Sequence, residues 1–196
     1  MITAHDIVLF DKKEIKEELP DWLKLSQQVY GVVRRSEPSD PAFLPIGLRG
    51  SARNQRFALE ILSDSIQKVI HPWAIIDQES FREKEIASFP AYQQFHAARD
   101  ILSGYKWGVG GSLGFELASG IQAVKETSDF DLLLYADSPA GLPLQAIQSH
   151  SDFFEQFDTQ VITSNGGFSL KEYLRTPEKK ILLKTTTGPK LTKEIW

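Results

Sequence analysis

Three groups of residues in the second half of the chain have the types and order that phosphoryl transfer requires: Gly111-Ser112, Asp129-Phe130-Asp131 and Asp158. Side chains at i and i+2 of a strand share a face, so the spacing predicts Asp129 and Asp131 side by side, with Phe130 turned into the core. Adjacent carboxylates repel unless a cation lies between them. A third carboxylate from a neighbouring strand would complete an oxygen cage suited to Mg²⁺ (or Mn²⁺), with positions left for water and substrate phosphates. The turn Gly110-Gly111-Ser112 supplies what carboxylates cannot. Glycine lets the backbone approach a phosphate closely, and a helix amino terminus offers unpaired N–H groups to a leaving diphosphate. Each motif also has a plain structural reading: a solvated strand start, a capped tight turn, and a charge flanking a strand. It is their order along the chain that favours the catalytic reading.

Anionic substrate charge needs cationic partners, and the sequence holds two clusters. Arg34, Arg35, Arg49, Arg53 and Arg56 lie in the first half, and Lys184 and Lys190 lie near the end. Arginine forks match phosphate oxygens, so Arg34, Arg49, Arg53, Lys184 and Lys190 join Gly111 and Ser112 as expected substrate-binding residues; ordinary surface ion pairs are the alternative. There is no cysteine, which excludes disulfides, thiolate zinc sites and cysteine nucleophiles. The histidines at 5, 71, 96 and 150 show no paired ligand spacing, and zinc is not expected.

Several elements must hold these groups. Apolar spacing predicts helix or loop and then a short strand over 11–33, a strand over Leu44–Gly50, and a helix from Ser51 with Phe57, Ala58, Ile61 and Leu62 on one face. Residues 71–91 carry Pro72 and Pro90 and suit a connection between lobes. Beyond it the pattern predicts a helix over Tyr92–Leu102 and a strand over Tyr105–Val109 leading into the glycine turn. Strands over Phe130–Ala136, Asp158–Thr163 and Lys180–Lys184 and helices over Leu144–Phe154 and Ser169–Leu174 follow. The expected class is α+β in two lobes. Residues 1–88 would form a smaller α/β lobe for substrate or partner, and residues 89–196 a catalytic domain whose mixed sheet is flanked by helices.

The totals narrow the field further. The 196 residues are 41% hydrophobic and 24% charged, with a formal net charge of -4, the balance of an ordinary globular protein and a poor one for coating nucleic acid. No run approaches the ~20 apolar residues of a membrane span, and the first residues lack a basic segment followed by an apolar one. A cytoplasmic protein with neither membrane nor nucleic-acid partners is expected.

Gly-Ser, then Asp-x-Asp, then a third Asp on a strand resembles the nucleotidyltransferase superfamily related to DNA polymerase beta. The segments 107–120, 128–134, 158–161, 166–168 and 182–185, with Val32-Val33-Arg34-Arg35 and 44–50, resemble a narrower family, the phosphoribosyl-dephospho-CoA transferases of malonate decarboxylase. That resemblance spans nearly the whole chain. It implies a polymerase-beta-like catalytic domain that transfers the triphosphoribosyl-dephospho-CoA prosthetic group to a serine of the acyl carrier subunit of malonate decarboxylase, with release of diphosphate. The residues it implies as catalytic are Asp129 and Asp131, with Asp158 entering as the third metal ligand by superfamily analogy. Gly111-Ser112 stands farther from Asp129 than in many superfamily members, with Leu113 to Thr127 between. The competing readings are a nucleotidyltransferase using ATP on another acceptor and a member that binds nucleotide without catalysis.

Overall fold

The computed structural model describes residues 1–52, 54–176 and 178–196, and contacts divide the chain into Met1–His71 and Pro72–Trp196. With two sheets and six α-helices among the described residues, the protein is of the α+β class in two lobes.

The first unit is built on one antiparallel sheet of β1 (Ile7–Asp11), β2 (Gln28–Val33), β3 (Phe43–Arg49), β4 (Arg56–Leu62) and β5 (Lys68–Ile70), in the order β4-β3-β2-β1-β5. Its core holds Val8, Phe10, Val29, Val33, Ile46, Leu48, Leu59 and Ile61. The ends of the unit are tied through Asp6. This fully buried carboxylate accepts from the Thr3 backbone N–H at 2.8 Å and faces His71 Nδ1 at 2.9 Å. The expected helix after Ser51 is instead a strand over its apolar part. Phe57, Ala58, Ile61 and Leu62 fit a helical face, but Phe57, Leu59 and Ile61 also alternate with Arg56, Ala58 and Glu60. That second period wins because β4 pairs with β3 along its whole length, from Phe43↔Leu62 to Arg49↔Arg56, placing Leu59 and Ile61 in the core.

The second unit carries a six-stranded mixed sheet of β6 (Trp107–Val109), β7 (Leu132–Tyr135), β8 (Thr159–Thr163), β9 (Gly166–Ser169), β10 (Ile181–Thr185) and β11 (Gly188–Thr192). Its order is β11-β10-β9-β8-β7-β6, and β7 and β8 are parallel. The helices are α1 (Glu83–Ile86), α2 (Pro90–Ile101), α3 (Gly111–Ser119), α4 (Leu144–Ser149), α5 (Ser151–Phe154) and α6 (Leu170–Arg175). Alternation along the strands buries Trp107, Val109, Leu132, Leu134, Val161, Phe168, Ile181 and Leu183 on one face. There Phe95 of α2 meets Trp107 edge to face at 6.1 Å.

The opposite face carries Leu133, Tyr135, Gln160, Ile162, Leu182 and Lys184, and toward β10 it is exposed. At its other end Trp73 packs on Tyr135 at 4.9 Å. Residues 72–88, assigned to the first lobe on sequence grounds, group here with the second unit. Polar contacts with α2 help hold them: Tyr92 Oη donates to Glu79 Oε2 at 2.7 Å, and Arg99 pairs with Glu79 and donates to the carbonyl of Ile76.

Candidate active site

The glycine turn at the end of β6 and the Asp-x-Asp segment at the start of β7 meet on neighbouring antiparallel strands. Gly110 N–H donates to the Asp131 carbonyl at 2.9 Å, continuing the β6–β7 ladder by one residue, and α3 begins at Gly111. Gly111 has φ +60°, and a Cβ built there would lie 1.7 Å from Asp131 Oδ2. Only glycine fits, because any side chain would displace the carboxylate as well as strain the backbone. Asp131 therefore sets its charge against the amino terminus of α3, where the helix dipole favours an anion. Three residues on, a Cβ at Gly114 would lie 2.2 Å from the Val109 carbonyl, so α3 packs directly on the strand that delivers it.

Phe130 is 1% exposed, and its ring meets Phe157 edge to face at 4.9 Å. Asp129 and Asp131 on either side of it are exposed, as the alternation predicts. Phe157 anchors the next segment in the same way, since it immediately precedes Asp158. Leu132 pairs with Thr159 in parallel register, so Asp131 and Asp158 stand one residue before matched positions on adjacent strands. The Asp158 side chain is 94% exposed, with Lys171 Nζ 3.8 Å away. Together with Ser169, Glu172, Arg175 and Thr176 these two residues line a cleft of 370 Å³.

The three aspartates are not gathered into a cage: among the described residues no group of three His, Cys, Asp or Glu side chains is placed to hold a metal ion. Asp129 and Asp131 are both exposed carboxylates, the donor type that an oxygen-preferring divalent cation takes. Mg²⁺ is commonly held by one or two carboxylates and completes its shell with water and substrate phosphates.

The sequence reading missed a buried network beneath this site. Glu116, 1% exposed on α3, accepts hydrogen bonds at Oε1 from Ser80 Oγ (2.8 Å) and Arg82 Nε (3.2 Å). At Oε2 it accepts from Arg82 Nη2 (2.9 Å) and the backbone N–H groups of Ala123 (2.8 Å) and Val124 (2.9 Å). Arg82 also donates to the Val124 carbonyl at 3.0 Å. Burial pushes the Glu116 carboxyl up, but the Arg82 guanidinium, the two backbone donors and the Ser80 hydroxyl outweigh it and hold the group below the usual glutamate range. The network fixes the loop between α3 and the Asp-x-Asp segment, which explains how the long spacing from Gly111 to Asp129 is accommodated. Its signal was legible: Glu116 lies among Leu113, Phe115 and Leu117 on an apolar helix, and a carboxylate in such a place requires partners.

The basic residues are spread over both units. Lys184 lies on the sheet face that Asp131 leads into, whereas Lys190 pairs with Leu183 and so projects on the opposite side. In the first unit, Arg34 N–H donates to the Pro45 carbonyl, and the Arg34 side chain crosses beside Gly47. Arg49 pairs directly opposite Arg56, and alternation places Arg34 and Arg49 on one outer face of that sheet. Arg53 lies outside the described residues.

Residues 3–72 match the family model described as phosphoribosyl-dephospho-CoA transferase MdcG N-terminal domain, and residues 77–194 match the corresponding C-terminal domain. A phosphoribosyl-dephospho-CoA transferase of Pseudomonas syringae pv. tomato is 30% identical over 204 residues, covering 100% of this chain and 94% of that protein. Proteins of the same name from Pseudomonas aeruginosa and Klebsiella pneumoniae are each 32% identical over 198 residues. Both alignments cover 98% of this chain, with 92% of the first relative and 95% of the second. No solved structure gives a significant match.

Proposed function

Because the chain belongs to the phosphoribosyl-dephospho-CoA transferase family, we propose that it transfers the triphosphoribosyl-dephospho-CoA group to a serine of the acyl carrier subunit of malonate decarboxylase. The observation that carries this reading is the seating of the Asp131 carboxylate on Gly111 at the amino terminus of α3. A carboxylate and a set of backbone N–H donors there share one point at the edge of the sheet.

In the reaction the serine hydroxyl oxygen attacks the α-phosphorus of the triphosphate. The new O–P bond forms as the bond from that phosphorus to the bridging oxygen breaks, diphosphate departs with the electron pair, and the hydroxyl proton is released. Asp129 and Asp131 are the residues that would hold Mg²⁺ or Mn²⁺. Bound there, such an ion would supply charge neutralisation for the phosphates and would favour the ionised form of the attacking hydroxyl. The first amides of α3 and the Ser112 position receive phosphate oxygens. Lys184 is assigned to the remaining anionic groups of the substrate, and Asp158 to a supporting acid at the neighbouring strand. No protein nucleophile is required. Among the described residues no helix is long and apolar enough to cross a membrane.

The test is incubation of the protein with apo acyl carrier subunit, triphosphoribosyl-dephospho-CoA and Mg²⁺, followed by intact-mass measurement of the carrier. A mass gain equal to the group less diphosphate is expected. An unchanged carrier mass with substrate and metal in excess refutes the proposal.

A further inference from the structure

Charge is strongly segregated along the chain. Residues 171–196 contain seven basic and three acidic residues, whereas the chain as a whole carries -4. The basic residues are concentrated on and beside the β10–β11 hairpin at the edge of the sheet. Leu182 and Leu191 are paired across it, 43% and 59% exposed. Lys180 and Lys184 lie two residues to either side of Leu182, and Lys193 lies two beyond Leu191. Among the described residues, Lys180 and Lys193 make no ion pair. An apolar pair with a cationic rim on an edge hairpin is the pattern of a recognition surface: an apolar centre gives affinity, and the charged rim steers approach and fixes register.

From this we propose that the Leu182–Leu191 patch is the docking surface for the carrier-protein acceptor, which presents an acidic rim around an apolar contact. The inference rests on the transfer reaction above for the identity of the partner. One observation and one symmetry argument favour a protein acceptor over the other occupants. The patch lies on the sheet face that Asp131 leads into, so a protein seated on it is on the side where its serine must react. A second copy could offer its own acidic remainder, but that contact would join two different surfaces and leave both unsatisfied at the ends of a growing chain, whereas most soluble oligomers close. The hairpin would bind through side chains, because its lysines discourage edge-to-edge strand pairing.

The test compares wild type with Leu191→Glu and with Lys180→Glu/Lys193→Glu, all checked for unchanged melting temperature. Binding of apo carrier is measured by isothermal titration, and transfer by intact mass. Each variant is expected to weaken carrier binding about tenfold, the scale of losing one well-packed interface residue. KM for the triphosphate should stay within about twofold, since uniform loss at the docking surface leaves small-molecule binding intact. Wild-type carrier affinity should fall steeply with KCl, and the double lysine variant should flatten that dependence. Unchanged carrier affinity in both variants overturns the docking surface. So does a concentration-dependent self-association of wild type that Leu191→Glu abolishes without affecting carrier binding. Binding that the variants weaken, in a protein that never labels the carrier, would leave the docking surface standing and refute the transfer reaction instead. No carrier binding by wild type would overturn both.

Discussion

Replacing Glu116 with glutamine keeps its shape and removes its charge, and the structure sets how much this matters. The carboxylate takes five hydrogen bonds from Ser80, Arg82, Ala123 and Val124. An amide has one oxygen, so it cannot accept at both ends. If that oxygen faces the backbone donors, the NH₂ group confronts Arg82 Nε and leaves a largely buried guanidinium with only the exposed Glu85 carboxylate, 2.7 Å from its Nη1, as counter-charge. Breaking one partner of a buried pair costs about 3–5 kcal/mol. At roughly 3–5 °C per kcal/mol for a unit of this size, melting should fall by about 10–20 °C. Because the folded state holds the Glu116 carboxyl below its ordinary range, its contribution is complete above the ordinary glutamate value of about 4.3. It is lost as pH falls through the lower folded value. Far-UV circular dichroism melts of wild type and Glu116→Gln should therefore differ fully at neutral pH and converge below about pH 4. A melting difference under about 3 °C at neutral pH, or a gap that widens in acid, would show that the Glu116 charge does not hold this network together.

Gly111→Ala places a Cβ in the space of the Asp131 carboxylate. It should cut carrier labelling by more than about tenfold while costing about 1–3 kcal/mol in stability, checked by intact-mass rates beside thermal melts. Asp158→Asn removes an exposed carboxylate with one distant cation, so melting should not change, and any activity lost should be smaller than for Asp131→Asn, read in the same assay. Burial and the Glu79 carboxylate push the Tyr92 hydroxyl up to about 12. Its stabilising contribution is therefore fully present below the ordinary tyrosine value of about 10 and is lost as pH rises from there through the folded value. Alkaline difference spectra should show one late-ionising tyrosine that Tyr92→Phe eliminates.

The sequence was most legible where chemistry and periodicity agreed. Asp129-Phe130-Asp131 reads as an alternating segment, and Phe130 is buried while its neighbours are exposed. The glycine turn, α2 and strands β3, β7, β8 and β10 were similarly clear. Where two periods fitted the same residues, as over Phe57 to Leu62, the choice was made by the ladder to β3, which no local pattern contains. The hairpin partners β9 and β11 were too short and polar to stand out before their neighbours were known. For Asp158 the spacing predicted a strand start, which is observed, but convergence of three carboxylates depends on side-chain direction and on how far each segment continues its ladder. The Glu116 network joins residues 80–82, 116 and 123–124, a connection made only by folding.

On the proposed mechanism Asp131, held against the start of α3, is required for group transfer. The most direct test is the rate of carrier mass gain with Asp131→Asn against wild type at saturating carrier, triphosphate and Mg²⁺. Removing a carboxylate that would hold the phosphate-neutralising cation should slow labelling by at least about 10²–10³-fold with the fold intact. A variant that labels the carrier at the wild-type rate would contradict the account.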